Sequence, residues 1–271
     1  MSNPSEANPL LETHLLPPFS AIKPEHVVPA IEALLNRNRE RTHALLADFA
    51  KSGETPTWST LNDPIDLWDD EVSQAFSPVG HLNGVANSDE LREAYNACLP
   101  LLNQYSTEIG QNADLFKAYE AVKNSAEFST LSQAQQTAIE HALRDFRLSG
   151  IDLPDDKKAR YGEIKQQLSK LTSKFSENVL DATQAWTKHI SDIADLDGVP
   201  ESALGLLAQQ AKQKDLEGWL ITLDFPSYMP IMSYCSNRTL REEMYTAYVT
   251  RASEVGPNAG EFDNSQNMKD I

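Results

Sequence analysis

Apolar residues in this chain recur mostly at steps of three and four, the spacing that gathers side chains on one face of an α-helix. Pro24-Glu25 opens the first such run, with proline and acid in the first turn. Ile31, Leu34, Leu35, Leu45, Leu46 and Phe49 then mark one stripe to about residue 50. Residues 1–20 are proline-rich and lack periodicity. They read as an extended arm laid over the surface through Leu15, Leu16 and Phe19. Gly53 marks a turn and Thr57 caps a short piece. Asp63-Pro64 starts a helix carrying Ile65, Leu67, Trp68, Val72 and Phe76, with a kink expected near Ser77-Pro78 and Gly80. Ser88, Asn112 and Ser132 each precede a run at helical spacing and read as N-caps; Gly150 lies just past the third of these runs.

Leu153-Pro154-Asp155-Asp156 is a strong helix start. Tyr161, Ile164, Leu168, Leu171 and Phe175 follow in alternating steps of three and four, and Ala182, Trp186 and Ile190 continue the face. The spacing predicts the longest helix from about Pro154 to about His189, packed against a long antiparallel partner, with Leu171, Phe175 and Trp186 buried. Gly198 and Pro200 mark a turn, and a short helix is predicted over Glu201–Lys214.

The stretch Trp219–Arg251 changes the period. Trp219, Ile221 and Leu223 alternate with Leu220 and Thr222, a strand pattern. Phe225-Pro226-Ser227 breaks it, with Ser227 capping a short helix whose first turn holds Pro230. Asn237 caps another bearing Leu240, Met244, Tyr245 and Tyr248. Gly256 to Gly260 reads as a loop, and Asp263 or Asn264 caps a last helix that is cut off at Ile271. The predicted class is all-α: a multi-helix domain over 21–271 with long antiparallel helices and at most a small strand element near Trp219–Leu223. No fixed-length repeat and no low-complexity linker divides it.

Composition narrows the partners. The net charge of −17, from 23 basic and 40 acidic residues, argues against nucleic acid and anionic membranes, because phosphate binding needs clustered Lys and Arg. No apolar run approaches the roughly 20 residues of a membrane span. Leu15-Leu16 is followed at once by Pro17-Pro18 with no basic residue before Lys23, so no secretory signal is expected. Two cysteines, Cys98 and Cys235, make no disulfide framework and fit a reducing compartment.

The candidate chemistry is sparse. The histidines are His14, His26, His43, His81, His141 and His189; none is followed by Glu and no two lie four residues apart, so His-Glu-x-x-His is absent. There is no Cys-x-x-Cys, phosphate-binding glycine loop or nucleophile elbow. The adjacent acids Asp69-Asp70, Asp155-Asp156 and Glu242-Glu243 diverge by about 100° on a helix and read as solvated or first-turn charges. His81, beside the expected kink, reads as packing or capping. Tyr228, Tyr234, Tyr245 and Tyr248 could stabilise an oxyanion but read more simply as core. Cys98 reads as a small buried hydrophobe. No catalytic, cofactor-binding or metal-ligating residue is assigned.

Several blocks carry a resemblance. These are Leu16-Pro-Pro-Phe-Ser-Ala-Ile-Lys-Pro-Glu-His-Val-Val-Pro-Ala30, Ser77-Pro-Val-Gly-His-Leu-Asn83, Ala142-Leu-Arg-Asp-Phe-Arg-Leu-Ser-Gly-Ile151, Phe175-Ser-Glu-Asn-Val-Leu-Asp-Ala-Thr183, Pro226-Ser-Tyr-Met-Pro-Ile-Met-Ser-Tyr-Cys235, and Tyr248-Val-Thr-Arg-Ala-Ser253 with Gly256-Pro-Asn-Ala-Gly260. They are similar to the N-terminal portion of the thimet-oligopeptidase-like zinc metallopeptidases, from end to end of the chain. The resemblance implies a mostly helical protein with a deep channel that admits short peptides. It implies Zn2+ in the full-length enzyme, held by a His-Glu-x-x-His helix that this chain lacks. On that reading the chain binds no metal itself, forms one channel wall in a cytoplasmic enzyme, and has the missing C-terminal catalytic part as its partner. The stretch Trp219–Arg251 would then present apolar surface to that part. The alternative is a non-catalytic acidic helical scaffold that recognises basic partners.

Overall fold

The computed structural model describes residues 8–271. Ten α-helices and two short strands make up the described residues, which are 73% helical, so the chain is all-α. Residues 1–7 of the predicted arm lie outside the described residues. The chain divides into two compact units, one up to Ser169 and one over Lys170–Ile271.

In the first unit, α1 (Pro24–Ser52) starts at the predicted proline. It ends at Gly53, whose φ of 69° is the left-handed turn that favours glycine after a helix. The predicted single stripe of α1 serves two cores. Val27, Ile31, Leu34 and Leu35 pack with Ala75 and Val79 of α2 (Asp63–Val85) and with Leu91 and Cys98 of α3 (Asp89–Gly110). Leu45, Leu46 and Phe49, all half-buried, border a second core. That core holds Leu115, Tyr119 and Val122 of α4 (Ala113–Asn124) and Ile139, Leu143 and Phe146 of α5 (Gln133–Leu148). Asn38, fully buried between the two ends of the stripe, ties α1 to α2 by donating from Nδ2 to the Trp68 carbonyl at 2.8 Å. Pro78 lies inside α2, which runs on to Val85.

The predicted caps have a clear local cause. The side chains of Ser88, Asn112 and Ser132 accept backbone N–H bonds from Leu91, from Asp114 and Leu115, and from Gln135 respectively. The arm is corrected. Its buried anchor is Leu10, in a short turn over Pro9–Leu11, whereas Leu15 and Leu16 are 99% and 77% exposed. The capping Asn8 ties that turn down, its Nδ2 donating to the His26 carbonyl at 2.8 Å.

The long helix α6 (Asp155–Ala185) contains the boundary between the units. It is the longest helix described, but two expectations about it fail. Leu171 and Phe175 are half-buried and Ile164 is 41% exposed, so of the three side chains expected in the core only Trp186 is buried. Heptad-like spacing defines a face; it does not guarantee that anything covers the face. The helix also stops before His189. Thr187–Ile190 is instead a strand, β1, antiparallel to β2 (Trp219–Thr222), with Thr187 opposite Thr222 and Ile190 opposite Trp219. Backbone pairing across the sheet, with Ile190 and Ile221 turned into the core, overrides the helical continuation.

The second unit builds its core from Trp186, Ile190, Leu196, Ile221 and Leu223 together with helix faces. These are Leu207 of α7 (Glu201–Gln213), Ile231 of α8 (Phe225–Tyr234) and Leu240 and Met244 of α9 (Arg238–Val249). Ser227 does not cap α8. The helix begins at Phe225, and the buried Ser227 hydroxyl accepts the Thr222 N–H at 3.0 Å, which closes the strand-to-helix turn. Pro226, rather than Pro230, occupies the first turn.

Asn264, just before α10 (Ser265–Asp270), pins the preceding loop to α6. Its Oδ1 accepts from Asn178 Nδ2 and from Asn267 Nδ2, each at 2.9 Å, and its Nδ2 donates to the Phe175 carbonyl at 3.0 Å. Asn178 and Asn264 are both buried. Asn264→Ala strands the Asn178 amide away from water and is expected to cost roughly 1–3 kcal/mol. Urea unfolding followed by circular dichroism checks this; an unchanged midpoint would show that water replaces the clasp.

Candidate functional site

The six histidines are dispersed. His14 bonds the Pro9 carbonyl at 3.0 Å, and His26 Nδ1 accepts the Lys23 N–H at 3.2 Å at the start of α1. His81 lies tilted against Phe19, with ring centroids 5.3 Å apart, as the packing reading expects. His43 faces a groove beside α4, His141 is exposed on α5, and His189 Nε2 bonds the Glu217 carbonyl at 2.6 Å. Among the described residues no three His, Cys, Asp or Glu side chains gather as a metal site. The donors among the described residues do not fit the zinc that the resemblance implies.

The acidic pairs separate as their helical geometry requires. The Asp69 carboxyl is raised by burial and by Asp66, and the Tyr105 hydroxyl donates to it at 3.5 Å. Its neighbour Asp70 accepts from Gln74. Glu243 takes the Lys188 ammonium at 2.9 Å, while Asp155 and Asp156 sit in the first turn of α6. The Tyr105 phenol is pushed up to about 12, chiefly by burial and next by Asp69, which removes it as a neutral-pH acid. Burial, with Glu32 adding to it, pushes the fully buried Cys98 thiol up to about 11, so it stays a protonated hydrophobe.

Two grooves open in the first unit. One, of about 660 Å³, runs between residues 9–19 and α2, with Arg37, Glu71 and His81 among its lining. Arg37 and Arg41 both donate to Glu71 Oε2, at 2.7 and 2.8 Å, so the one carboxylate is shared by two guanidiniums. The other, of about 670 Å³, lies between α1 and α4. Its charges also pair, Arg39 with Glu108 at 2.6 Å and Lys117 with Asp114 at 3.3 Å.

The second unit carries a surface of a different kind. Tyr228 of α8 stacks on Tyr248 of α9 with centroids 4.1 Å apart, and the Arg251 guanidinium lies 3.9 Å from the Tyr248 ring centre. Burial raises the Tyr228 phenol, with Tyr248 and Tyr245 adding to it, so the three tyrosines share one neighbourhood. The core reading holds in part for Tyr228 and Tyr248, which pack against the unit's core, and is corrected for Tyr234 and Tyr245. Tyr234 and Tyr245 are 59% and 52% exposed, and Tyr228 and Tyr248 are half-buried. The reason is geometric. Leu240, Met244 and Ala247 form the buried face of α9, and Tyr245 stands about 100° around the helix from Met244.

A profile of the neurolysin/thimet oligopeptidase N-terminal domain matches residues 31–158. Oligopeptidase A of Escherichia coli (strain K12) is 54% identical over 264 residues, covering 97% of this chain and 38% of that protein. Oligopeptidase A of Haemophilus influenzae is 54% identical over 269 residues, with 98% and 38% covered. A probable cytosolic oligopeptidase A of Arabidopsis thaliana is 40% identical over 266 residues, with 96% and 36% covered. The chain thus spans less than two-fifths of the length of these relatives. With the matched domain and more than half of all aligned positions shared with the bacterial proteins, the chain belongs to the neurolysin/thimet oligopeptidase family and corresponds to the N-terminal portion of its oligopeptidase A members.

Proposed function

We propose that this chain is the N-terminal helical part of a zinc-dependent oligopeptidase that hydrolyses short peptides in the cytoplasm, where it forms one wall of the substrate channel. The identity to oligopeptidase A over nearly the whole chain carries this reading. The hydrolytic chemistry belongs to the part of the relatives that the chain does not match, since its 271 residues contain no His-Glu-x-x-His. The extended arm over 1–20 and the helical region over 21–271 together serve as a scaffold for that part. The chain contributes shape and a helical surface, with no catalytic or metal-ligating side chain of its own.

The test is reconstitution. The purified chain is expected to leave a fluorogenic oligopeptide intact with or without added zinc, and to retain far less than one zinc per chain after dialysis. Joined to the unmatched portion of Escherichia coli oligopeptidase A, in place of that protein's own N-terminal portion, it is expected to yield cleavage that a chelator abolishes. Metal-dependent cleavage by the 271-residue chain alone would overturn the assignment. So would a folded chimera with no activity.

A further inference from the structure

On the second unit, two short helices each present three apolar or aromatic residues at positions i, i+3 and i+4. Phe225, Tyr228 and Met229 lie on α8; Tyr245, Tyr248 and Val249 lie on α9. The stack of Tyr228 on Tyr248 joins the two triplets into one patch. Its outer members are open to solvent: Phe225 is 63% exposed, Val249 54%, Tyr245 52% and Met229 39%. Three tyrosines, a phenylalanine and a methionine, with Arg251 held over one ring, match the composition of protein-interface centres. No acidic side chain is among the six, in a chain carrying 40 acids. A patch of this kind marks an interaction site when it stands on an otherwise polar surface.

We infer that this α8–α9 patch is the docking surface for the polypeptide that forms the unmatched portion of the oligopeptidase A relatives. This rests on the proposed function. The occupant follows from the comparisons: relatives 54% identical to this chain carry more than half of their length outside the match, in the same polypeptide. In those relatives the unmatched portion is covalently continuous with the matched one, so an apolar patch facing it would be kept from water. The buried face of α9, on Leu240 and Met244, is filled by the unit's own core, against which Tyr228 and Tyr248 also pack; Phe225, Met229, Tyr245 and Val249 stand outside that core.

Cysteine labelling tests this, because the native Cys98 and Cys235 are both buried and supply a slow background. Val249→Cys and, independently, Phe225→Cys are prepared in the 271-residue chain. Both are also prepared in the chimera that joins this chain to the unmatched portion of Escherichia coli oligopeptidase A. Leu148→Cys, 69% exposed on the first unit, corrects for differences in reagent and preparation. In the isolated chain the patch cysteines are expected to react with a maleimide dye about as fast as Leu148→Cys. In the chimera they are expected to react about tenfold or more slowly, as interface centres exclude water. Equal rates in chain and chimera at both positions would overturn the inference. Protection that appears in the isolated chain and grows with its concentration would assign the patch to a second copy and overturn it too. Peptide hydrolysis by the same chimera is read separately. An active chimera with unprotected cysteines removes the docking surface alone, and an inactive chimera with protected cysteines removes the peptidase reading alone.

Discussion

Leu207→Ala is expected to lower the unfolding free energy by about 2–5 kcal/mol, and Leu171→Ala by about 1 kcal/mol or less. The two substitutions remove the same atoms from helix interiors, and alanine raises helix propensity slightly and equally at both. Both sites lie in the second unit, so the difference isolates burial. Leu207 is 1% exposed and packs among Ile221, Leu223 and Met244; removing its isobutyl group leaves a cavity that the two strands and the helices around it cannot collapse. Leu171 lies half in water on α6, where truncation sacrifices a modest transfer free energy and water fills the space. Urea unfolding of both variants, followed by circular dichroism at a common m-value, measures the contrast. Equal shifts would place Leu171 in a core and restore the buried helix face that its heptad-like spacing predicts.

That contrast marks where the sequence stops being readable. Helix starts were legible because a cap is local: Ser88, Asn112, Ser132 and Asn237 each reach an N–H two or three residues ahead, so the cause lies within one turn. Ends set by a left-handed residue were legible for the same reason, as at Gly53 and Gly150. Interactions across long sequence separations were not. Thr187–Ile190 continues an apolar helical face in sequence and becomes a strand only because Trp219–Thr222 lies beside it. Ser227 looks like a cap, yet it is spent on the N–H of Thr222, five residues behind it. The α1 stripe is continuous in sequence and divides between two cores because α2 and α3 cover one end while α4 and α5 lie at the other.

The functional reading was bounded in a similar way. Dispersed histidines and diverging acidic pairs follow directly from residue spacing, and His81 and Cys98 sit as packing residues. Tyr234 and Tyr245 did not follow. Periodicity places Tyr245 near the apolar face of α9, but the width of the buried face is set by what packs on it. Leu240, Met244 and Ala247 fill that width, leaving Tyr245 and Val249 outside. Exposed aromatic residues on a helix therefore had the same sequence signature as core.

The hairpin-like junction of the second unit supplies the other large expected effect. Gly218→Ala is expected to cost roughly 3–5 kcal/mol, combining left-handed backbone strain with overpacking. Gly218 has a φ of 89° and immediately precedes Trp219, which pairs with Ile190. A Cβ there would stand 2.4 Å from the Ile190 carbonyl oxygen and 3.4 Å from the Ser191 Cα, both backbone atoms. Neither can rotate aside as a side chain would, because β1 is held by its pairing with β2 and by His189 bonding the Glu217 carbonyl. Gly260→Ala is the matched control. Its φ of 82° imposes the same left-handed strain, but nothing lies within 4 Å of the added Cβ, so it is expected to cost about 1 kcal/mol. The entropy that alanine removes from the unfolded chain is common to both and cancels in the comparison. A thermal or urea midpoint for Gly218→Ala that falls no further than that of Gly260→Ala would mean the two strands separate at little cost. In that case Ile190 and Trp219 hold their places through their side chains in the core rather than through the backbone pairing of β1 with β2.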